Sequence, residues 1–138
     1  MLFATLPFLI AANALAAPGL RVALYVGVGT APTSAGNYSA SIRALVSAGA
    51  VASLSLLQGA DVASLSPTNF DLVVFPGGGG SAEAAAIGPG GAAAVRAFVA
   101  AGKGYLGTCA GGYLAGNLSC CAQSMPGFCG GKVGCGPS

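Results

Sequence analysis

Residues Tyr105–Leu114 read Y-L-G-T-C-A-G-G-Y-L, an apolar run that leads into a cysteine with glycines on both sides. Within this stretch Gly107–Gly111 has the form Gly-x-nucleophile-x-Gly, the spacing of a sharp strand-to-helix turn known as a nucleophile elbow. Glycine suits such a turn because strand and helix approach too closely for Cβ atoms. We therefore expect Cys109 at a helix N-terminus, where unpaired N–H groups and the helix dipole favour the thiolate.

The segments around this turn predict an α/β fold. Short apolar runs bounded by glycine, proline or polar residues indicate four strands, at Arg21–Val28, Val51–Leu57, Leu72–Phe75 and Gly104–Thr108. Apolar residues at helical spacing indicate helices at Ser39–Ala48 and Ala92–Ala101. Gly, Pro, Ser and Thr indicate a loop at Gly29–Asn37, and glycines indicate another at Gly77–Gly91 that contains one short alanine-rich turn. Strands that alternate with helices predict a doubly wound parallel sheet covered on both faces. Ligands of such folds bind at the carboxyl ends of the strands.

The glycine loop Gly77–Gly80 follows the third strand and is expected beside Cys109. Main-chain N–H groups aimed at one point form an oxyanion hole, and Ala110 and Gly78 are the candidate donors. A glycine run is also compatible with a simple turn. No Gly-Lys-Ser/Thr follows these glycines and no Gly-x-Gly-x-x-Gly opens a helix, so the sequence predicts no phosphate-bearing cofactor.

The charge content excludes several classes of partner. Five basic and three acidic residues are scattered singly and give a net charge of +2, so no basic stripe for nucleic acid is present. The chain contains no histidine, and Cys120 and Cys121 are adjacent instead of spaced as paired metal ligands. The sequence predicts neither a metal nor a nucleic-acid partner.

The first 17 residues indicate a secretory signal peptide, with an apolar stretch and a small-x-small cleavage site at Ala14–Ala16. No Lys or Arg precedes the apolar stretch, so an uncleaved anchor or a buried N-terminal element is the alternative. The run is shorter than the roughly 20 residues that a spanning helix needs. We expect secretion without a stable membrane span. Asn37 and Asn117 begin Asn-x-Ser sequons, which are glycosylation candidates or chance occurrences.

Residues 117–138 differ in character from the preceding chain and predict an irregular Gly/Cys-rich tail. Its four cysteines allow two disulfides in three connectivities, and a disordered tail is the alternative. The tail cysteines are Cys120, Cys121, Cys129 and Cys135. If these pair among themselves, Cys109 remains as a free thiol.

Three segments of the chain resemble the N-terminal domain of eukaryotic biotin–protein ligases, in the class I glutamine amidotransferase-like superfamily. They are Val22–Ser34, Leu72–Gly78 and Val95–Tyr113, and the block Y-L-G-x-C-A-G-G-Y in the third is the most specific. The resemblance implies a flavodoxin-like three-layer sandwich over residues 18–116. It also implies that Cys109 occupies the nucleophile position and that Pro76-Gly77-Gly78 occupies the oxyanion position. No lysine- and glycine-rich biotinyl-AMP site is present, so biotin ligation itself is not implied.

The chain departs from that superfamily in its acid–base residues. Amidotransferases of the superfamily complete a triad with His and Glu downstream of the cysteine, whereas this chain has no His and one Glu, Glu83, in the loop expected after the glycines. We therefore expect an incomplete or non-catalytic domain that binds a small molecule or a protein at the strand ends. A cysteine-dependent hydrolase or amidotransferase acting on a small amide or carbonyl compound is the alternative. A C-terminally truncated or mispredicted gene product is a third.

Overall fold

A computed structural model describes residues 19–120 as alternating strands and helices. The strands are β1 (Leu20–Tyr25), β2 (Val51–Leu57), β3 (Leu72–Phe75) and β4 (Gly104–Gly107). The helices are α1 (Pro32–Ser47), α2 (Gly80–Ala100) and α3 (Ala110–Cys120), and a short 3-10 helix spans Gly59–Ser64. The predicted bounds of β2 and β3 are confirmed to the residue.

The four strands form one parallel sheet in the order β2-β1-β3-β4. The register pairs Tyr25 with Leu57 and Phe75 with Gly107, so the carboxyl ends of neighbouring strands lie at the same edge. The segments that leave this edge include those that begin α1, α2 and α3. The topology therefore gathers three helix N-termini where a ligand site is expected.

The sheet carries an apolar core on each face, which confirms the predicted flavodoxin-like sandwich. One face of the sheet is covered by α2, α3 and the 3-10 helix. These helices pack against every second residue of the strands, because successive strand side chains point to opposite faces. This larger core is formed by Ala23, Tyr25, Leu57, Val62, Leu65, Val73, Phe75, Ile87, Val95, Phe98 and Leu114. On the other face α1 packs through Ile42 against Val22, Leu24, Val51 and Val74.

Helices α1 and α2 begin earlier than the sequence predicted. The segment Gly29–Asn37 was expected to be a loop, but α1 starts at Pro32, since proline has the backbone angle of a first helical turn and its missing N–H is not needed there. The expected loop Gly77–Gly91 is also wrong beyond Gly79, because α2 starts at Gly80. Its two halves meet at a kink where Gly88 has φ 61° and precedes Pro89. Alanine favours helix strongly enough to continue on both sides of that break.

An ion-pair cluster holds the amino ends of three strands together. The Asp71 carboxylate, just before β3, accepts hydrogen bonds from Arg21 of β1 at 2.8 Å and from Lys103, just before β4, at 2.8 Å. Hydrogen bonds from Arg21 and then from Lys103 hold the pKa of the Asp71 carboxyl well below its usual range. These charged groups lie at the amino edge of the sheet, opposite to the carboxyl edge where Cys109 lies. They stabilise the fold and do not contribute charge at the carboxyl edge.

Residues 19–120 contain no helix that is long and apolar enough to cross a bilayer. The predicted signal peptide, residues 1–17, lies outside the described residues, and so do Cys121, Cys129 and Cys135. Helix α3 continues through Asn117 to Cys120, so the described helix extends past residue 116. The domain boundary at that residue stays a prediction.

Candidate functional site

Cys109 lies between the end of β4 and the start of α3, as the sequence predicted. Its thiol is free and the residue is exposed. Its φ angle is 51°, which makes it the one residue other than glycine in the described chain with a positive φ. A side chain in this left-handed conformation costs about 1 kcal/mol or more, so the fold imposes a strained backbone where the thiol is presented.

Two glycines permit the tight turn around Cys109. A Cβ on Gly111 would overlap the carbonyl oxygen of Phe75 and would lie 2.8 Å from the Phe75 carbonyl carbon. The same carbonyl accepts the Thr108 N–H at 3.1 Å, so strand β3 contacts the chain on both sides of Cys109. A Cβ on Gly107 would also meet the backbone of Gly111. The close approach that the Gly-x-Cys-x-Gly spacing predicted is therefore present in the backbone.

The segment Pro76–Gly79 is clamped against the segment that precedes α1. Ala31 N–H donates to the Gly77 carbonyl at 2.9 Å, and Gly79 N–H donates to the Gly29 carbonyl at 2.7 Å. These two bonds flank an antiparallel bridge between Thr30 and Gly78. A Cβ on Gly78 would overlap the Gly29 carbonyl, so the crossing requires glycine.

The structure brings the three predicted site residues into one region. The position that a Cβ on Gly77 would occupy is 3.4 Å from Cys109 Cβ, and the corresponding position on Gly80 is 3.5 Å from the Ala110 carbonyl oxygen. Within residues 19–120, neither Gly78 N–H nor Ala110 N–H has a hydrogen-bond partner. Both N–H groups are therefore unpaired in the described part of the chain.

Ser34 is a residue of this region that sequence reasoning missed. It is the third residue of α1, and its hydroxyl oxygen accepts the Gly77 N–H at 2.9 Å. No local pattern predicts this contact, because Ser34 and Gly77 are 43 residues apart and Ser34 lies in a segment expected to be a loop.

Glu83 was expected in a loop and instead lies in the first turn of α2, fully buried. Its Oε1 accepts a long hydrogen bond from the Thr30 hydroxyl at 3.4 Å, whereas Oε2 has no partner within the described residues. Burial raises the pKa of the Glu83 carboxyl, and the Thr30 hydrogen bond opposes this only in part. Burial, and secondarily the nearby Glu83 charge, also raises the pKa of Tyr25 and of Tyr105.

Among residues 19–116, whose side chains the structure describes, no acid–base side chain is hydrogen-bonded to the Cys109 thiol. The two tyrosines near Glu83 donate their hydroxyl protons to backbone carbonyls. Tyr25 donates to the Val28 carbonyl at 2.9 Å and Tyr105 donates to the Gly111 carbonyl at 2.7 Å. The described chain also contains no cluster of three His, Cys, Asp or Glu residues that could hold a metal ion. The site consists of a thiol and backbone donors.

A parallel α/β sandwich with a cysteine at a strand-to-helix turn, beside a glycine loop, belongs to the flavodoxin-like class of domains. A family model described as "Biotin-protein ligase, N terminal" matches residues 20–123, and the chain belongs to this family. The match covers all four strands and confirms the family expected from the sequence; placement in the class I glutamine amidotransferase-like superfamily is consistent with it. Comparisons with curated proteins and with solved structures give no significant match.

Proposed function

We propose that this biotin–protein ligase N-terminal type domain is a non-catalytic binding domain whose nucleophile-elbow cysteine receives a small acyl compound at the strand ends. The proposal is carried by Cys109 in a left-handed conformation at the start of α3, close to Gly77, with the N–H groups of Gly78 and Ala110 unpaired within the described residues. Backbone donors placed in this way stabilise negative charge on an acyl oxygen.

Turnover needs a further group that this site lacks. When a thiolate attacks an amide carbon, the C–N bond breaks only if the departing nitrogen takes a proton, and water must then be activated to release the acyl group. The chain contains no histidine, and its one Glu is fully buried, with the Thr30 hydroxyl as the one side-chain hydrogen-bond partner of that carboxyl within the described residues. Binding or a single acylation without turnover is therefore the activity that these residues support.

The test compares two reagents that differ in whether an oxyanion forms. 4-Nitrophenyl acetate acylates a thiol through a negatively charged oxygen, releasing 4-nitrophenolate and leaving a thioester, whereas iodoacetamide alkylates it without one. The chymotryptic peptide Gly107–Tyr113 contains Cys109 as its only cysteine, so the rate at this residue can be measured by mass spectrometry in the presence of the tail cysteines. The chain unfolded in guanidinium chloride supplies the reference ratio of the two rates.

We expect folding to increase the acylation-to-alkylation ratio at Cys109 about a hundredfold, the effect that one to two oxyanion donors have in enzymes. The same acylation-to-alkylation ratio in the folded and the unfolded chain would show that Gly78 and Ala110 do not act as oxyanion donors. If folding abolished both reactions, Cys109 would not be accessible to small molecules and the proposed site would be contradicted.

A cysteine-dependent hydrolase or amidotransferase is the second candidate, favoured by the elbow geometry at Cys109. Its signature is sustained release of ammonia from a primary carboxamide such as glutamine, abolished by Cys109→Ala. The proposed binding domain releases none above the level of that variant. A base from another chain would restore release in the natural complex and would support this second candidate.

We also propose that the chain enters the secretory pathway through a signal peptide at residues 1–17. The support is the apolar stretch followed by the small residues Ala14 and Ala16. Expression in a secreting host with N-terminal sequencing of the medium fraction tests this, and we expect a mature chain that starts at Ala17 or Pro18. Retention of Met1 in the cell fraction would contradict it.

A further inference from the structure

The sequon Asn37-Tyr38-Ser39 lies on α1, and the proposed binding site does not use it. Helix α1 packs against the sheet through its buried residue, Ile42. Asn37 precedes Ile42 by five residues, which turns its side chain about 140° away from that contact. Asn37 is exposed accordingly, so the acceptor residue of the sequon faces solvent.

Small side chains surround Asn37 on this face of α1. The neighbours of a helical residue lie three and four positions away, and the exposed ones here are Thr33, Ala40 and Ser41. A Cβ on the adjacent Gly36 would meet no atom of another segment within 4 Å, so the space beside the asparagine is open. Within the part of the chain whose side chains the structure describes, the Asn37 amide has no hydrogen-bond partner. The folded chain can therefore carry a large substituent at this position.

The chain offers few charges to hydrate its surface. Charged residues make up 6% of the sequence, whereas a surface that resists aggregation holds about 25–35%. The ion-pair cluster around Asp71 uses three of these charges at the amino edge, and Arg43 is the one charged residue of α1. Leu45 lies about two turns after Asn37 on the same side of the helix and is 47% exposed. A hydrophilic group on Asn37 would therefore cover a face that is poor in such groups.

We propose that Asn37 carries an N-linked glycan that hydrates the exposed face of α1. This inference rests on the proposed entry into the secretory pathway, where Asn-x-Ser is the acceptor sequence. The donor is an oligosaccharide linked through pyrophosphate to a polyprenol lipid. A bond forms between the Asn37 side-chain nitrogen and the anomeric carbon of the first sugar, and the bond from that carbon to the pyrophosphate oxygen breaks. The lipid pyrophosphate leaves with the electron pair, and the amide nitrogen gives up one proton.

Expression of the full chain in a eukaryotic secreting host tests the site directly. Trypsin releases the peptide Val22–Arg43, in which Asn37 is the only asparagine. Peptide N-glycosidase F in heavy-oxygen water converts a glycosylated asparagine to labelled aspartate, which mass spectrometry detects, and leaves an unmodified asparagine unchanged. We expect the label on Asn37 of the secreted protein, and unmodified Asn37 in that protein overturns the inference.

Four variants separate the sequon from its surroundings. Asn37→Gln and Ser39→Ala are expected to lose the glycan and to migrate as smaller proteins in gel electrophoresis, whereas Ser39→Thr keeps it because threonine also completes the sequon. Ser41→Ala is the matched control, since Ser41 is an exposed serine of the same helix outside the sequon. All four retain the Asn117 sequon, so a difference in mobility belongs to Asn37. Equal mobility of Asn37→Gln and Ser41→Ala would overturn the assignment.

The hydration role is tested by precipitation of the secreted proteins with ammonium sulfate. Asn37→Gln is expected to precipitate at a lower salt concentration than the glycosylated Ser41→Ala, because it exposes the α1 face without the glycan. The same precipitation point for both variants would contradict this role.

The two levels of the argument fail in different ways. A secreted chain that starts at Ala17 or Pro18 and has an unmodified Asn37 removes this inference alone. A chain that keeps Met1 and stays in the cell contradicts the proposed secretion. Residues 18–138 behind the host's own signal peptide then test Asn37 without the native leader: a glycan on Asn37 supports the inference, and its absence from the secreted protein overturns it.

Discussion

The contact between α3 and β3 makes a quantitative prediction at two adjacent glycines, Gly111 and Gly112. In each case alanine is the better helix former by about 1 kcal/mol. At Gly112 the nearest atom to an added Cβ is the Gly107 carbonyl oxygen at 3.8 Å, an ordinary contact. At Gly111 the added Cβ would lie 2.8 Å from both the carbonyl carbon and Cβ of Phe75, and it would overlap the carbonyl oxygen.

Relief of the overlap at Gly111 requires movement of the backbone of a buried strand. Forcing an extra methyl group into a packed core costs about 1–3 kcal/mol, and the Phe75 carbonyl also loses its alignment with Thr108 N–H. Gly112→Ala is therefore expected to raise the free energy of unfolding by about 1 kcal/mol and Gly111→Ala to lower it, a separation of roughly 2–4 kcal/mol.

Urea unfolding followed by circular dichroism measures both variants against the wild type at the same protein concentration. The slope of the free energy against urea must stay the same for the two midpoints to be compared. Equal stabilities for Gly111→Ala and Gly112→Ala, or a more stable Gly111→Ala, would refute the close approach of α3 to β3 on which the geometry at Cys109 depends.

Three further substitutions test the surroundings of the thiol. Cys109→Gly should be more stable than Cys109→Ala by about 1 kcal/mol and should melt at a higher temperature, because only glycine adopts the positive φ without strain. Equal melting temperatures for the two variants would show that the backbone at residue 109 is not strained. Burial raises the pKa of the Glu83 carboxyl in the folded state above its value in the unfolded chain, so the wild type should lose stability as the pH rises from the unfolded pKa through the folded pKa. Glu83→Gln has no carboxyl there and should lack this pH dependence. Melting temperatures of the two proteins that change in parallel from about pH 4 to about pH 9 would contradict it. Tyr105→Phe removes the hydrogen bond to the Gly111 carbonyl and should cost about 0.5–1.5 kcal/mol in urea unfolding, with exposed Tyr113→Phe as the neutral control.

The sequence predicted the strands and the position of the thiol because these depend on local patterns. Strand β3 is a four-residue apolar run ended by Pro76, and its bounds were correct. The Gly-x-Cys-x-Gly spacing predicted the turn at Cys109 for a steric reason that holds in the structure. The first turns of α1 and α2 were missed because glycine, proline and serine usually indicate loops, and here packing overrides that preference.

The rest of the site depends on contacts between distant segments. Nothing near Ser34 indicates that its hydroxyl reaches Gly77, since only the parallel sheet brings α1 beside the end of β3. The burial of Glu83 could not be predicted either, because a glutamate in an alanine-rich helix is ordinarily solvated. Both facts follow from the crossing of the two loops at Thr30 and Gly78.

We propose that Cys109 lies beside backbone oxyanion donors and lacks a base for turnover. The most direct measurement is the time course of 4-nitrophenolate release when 4-nitrophenyl acetate is added to the folded protein. We expect one rapid burst from Cys109, absent in Cys109→Ala, that leaves a stable acetyl group on the Gly107–Tyr113 peptide. Continued release well beyond that burst, lost in Cys109→Ala, would identify an enzyme, and the absence of any burst would show that the thiol has no such site around it.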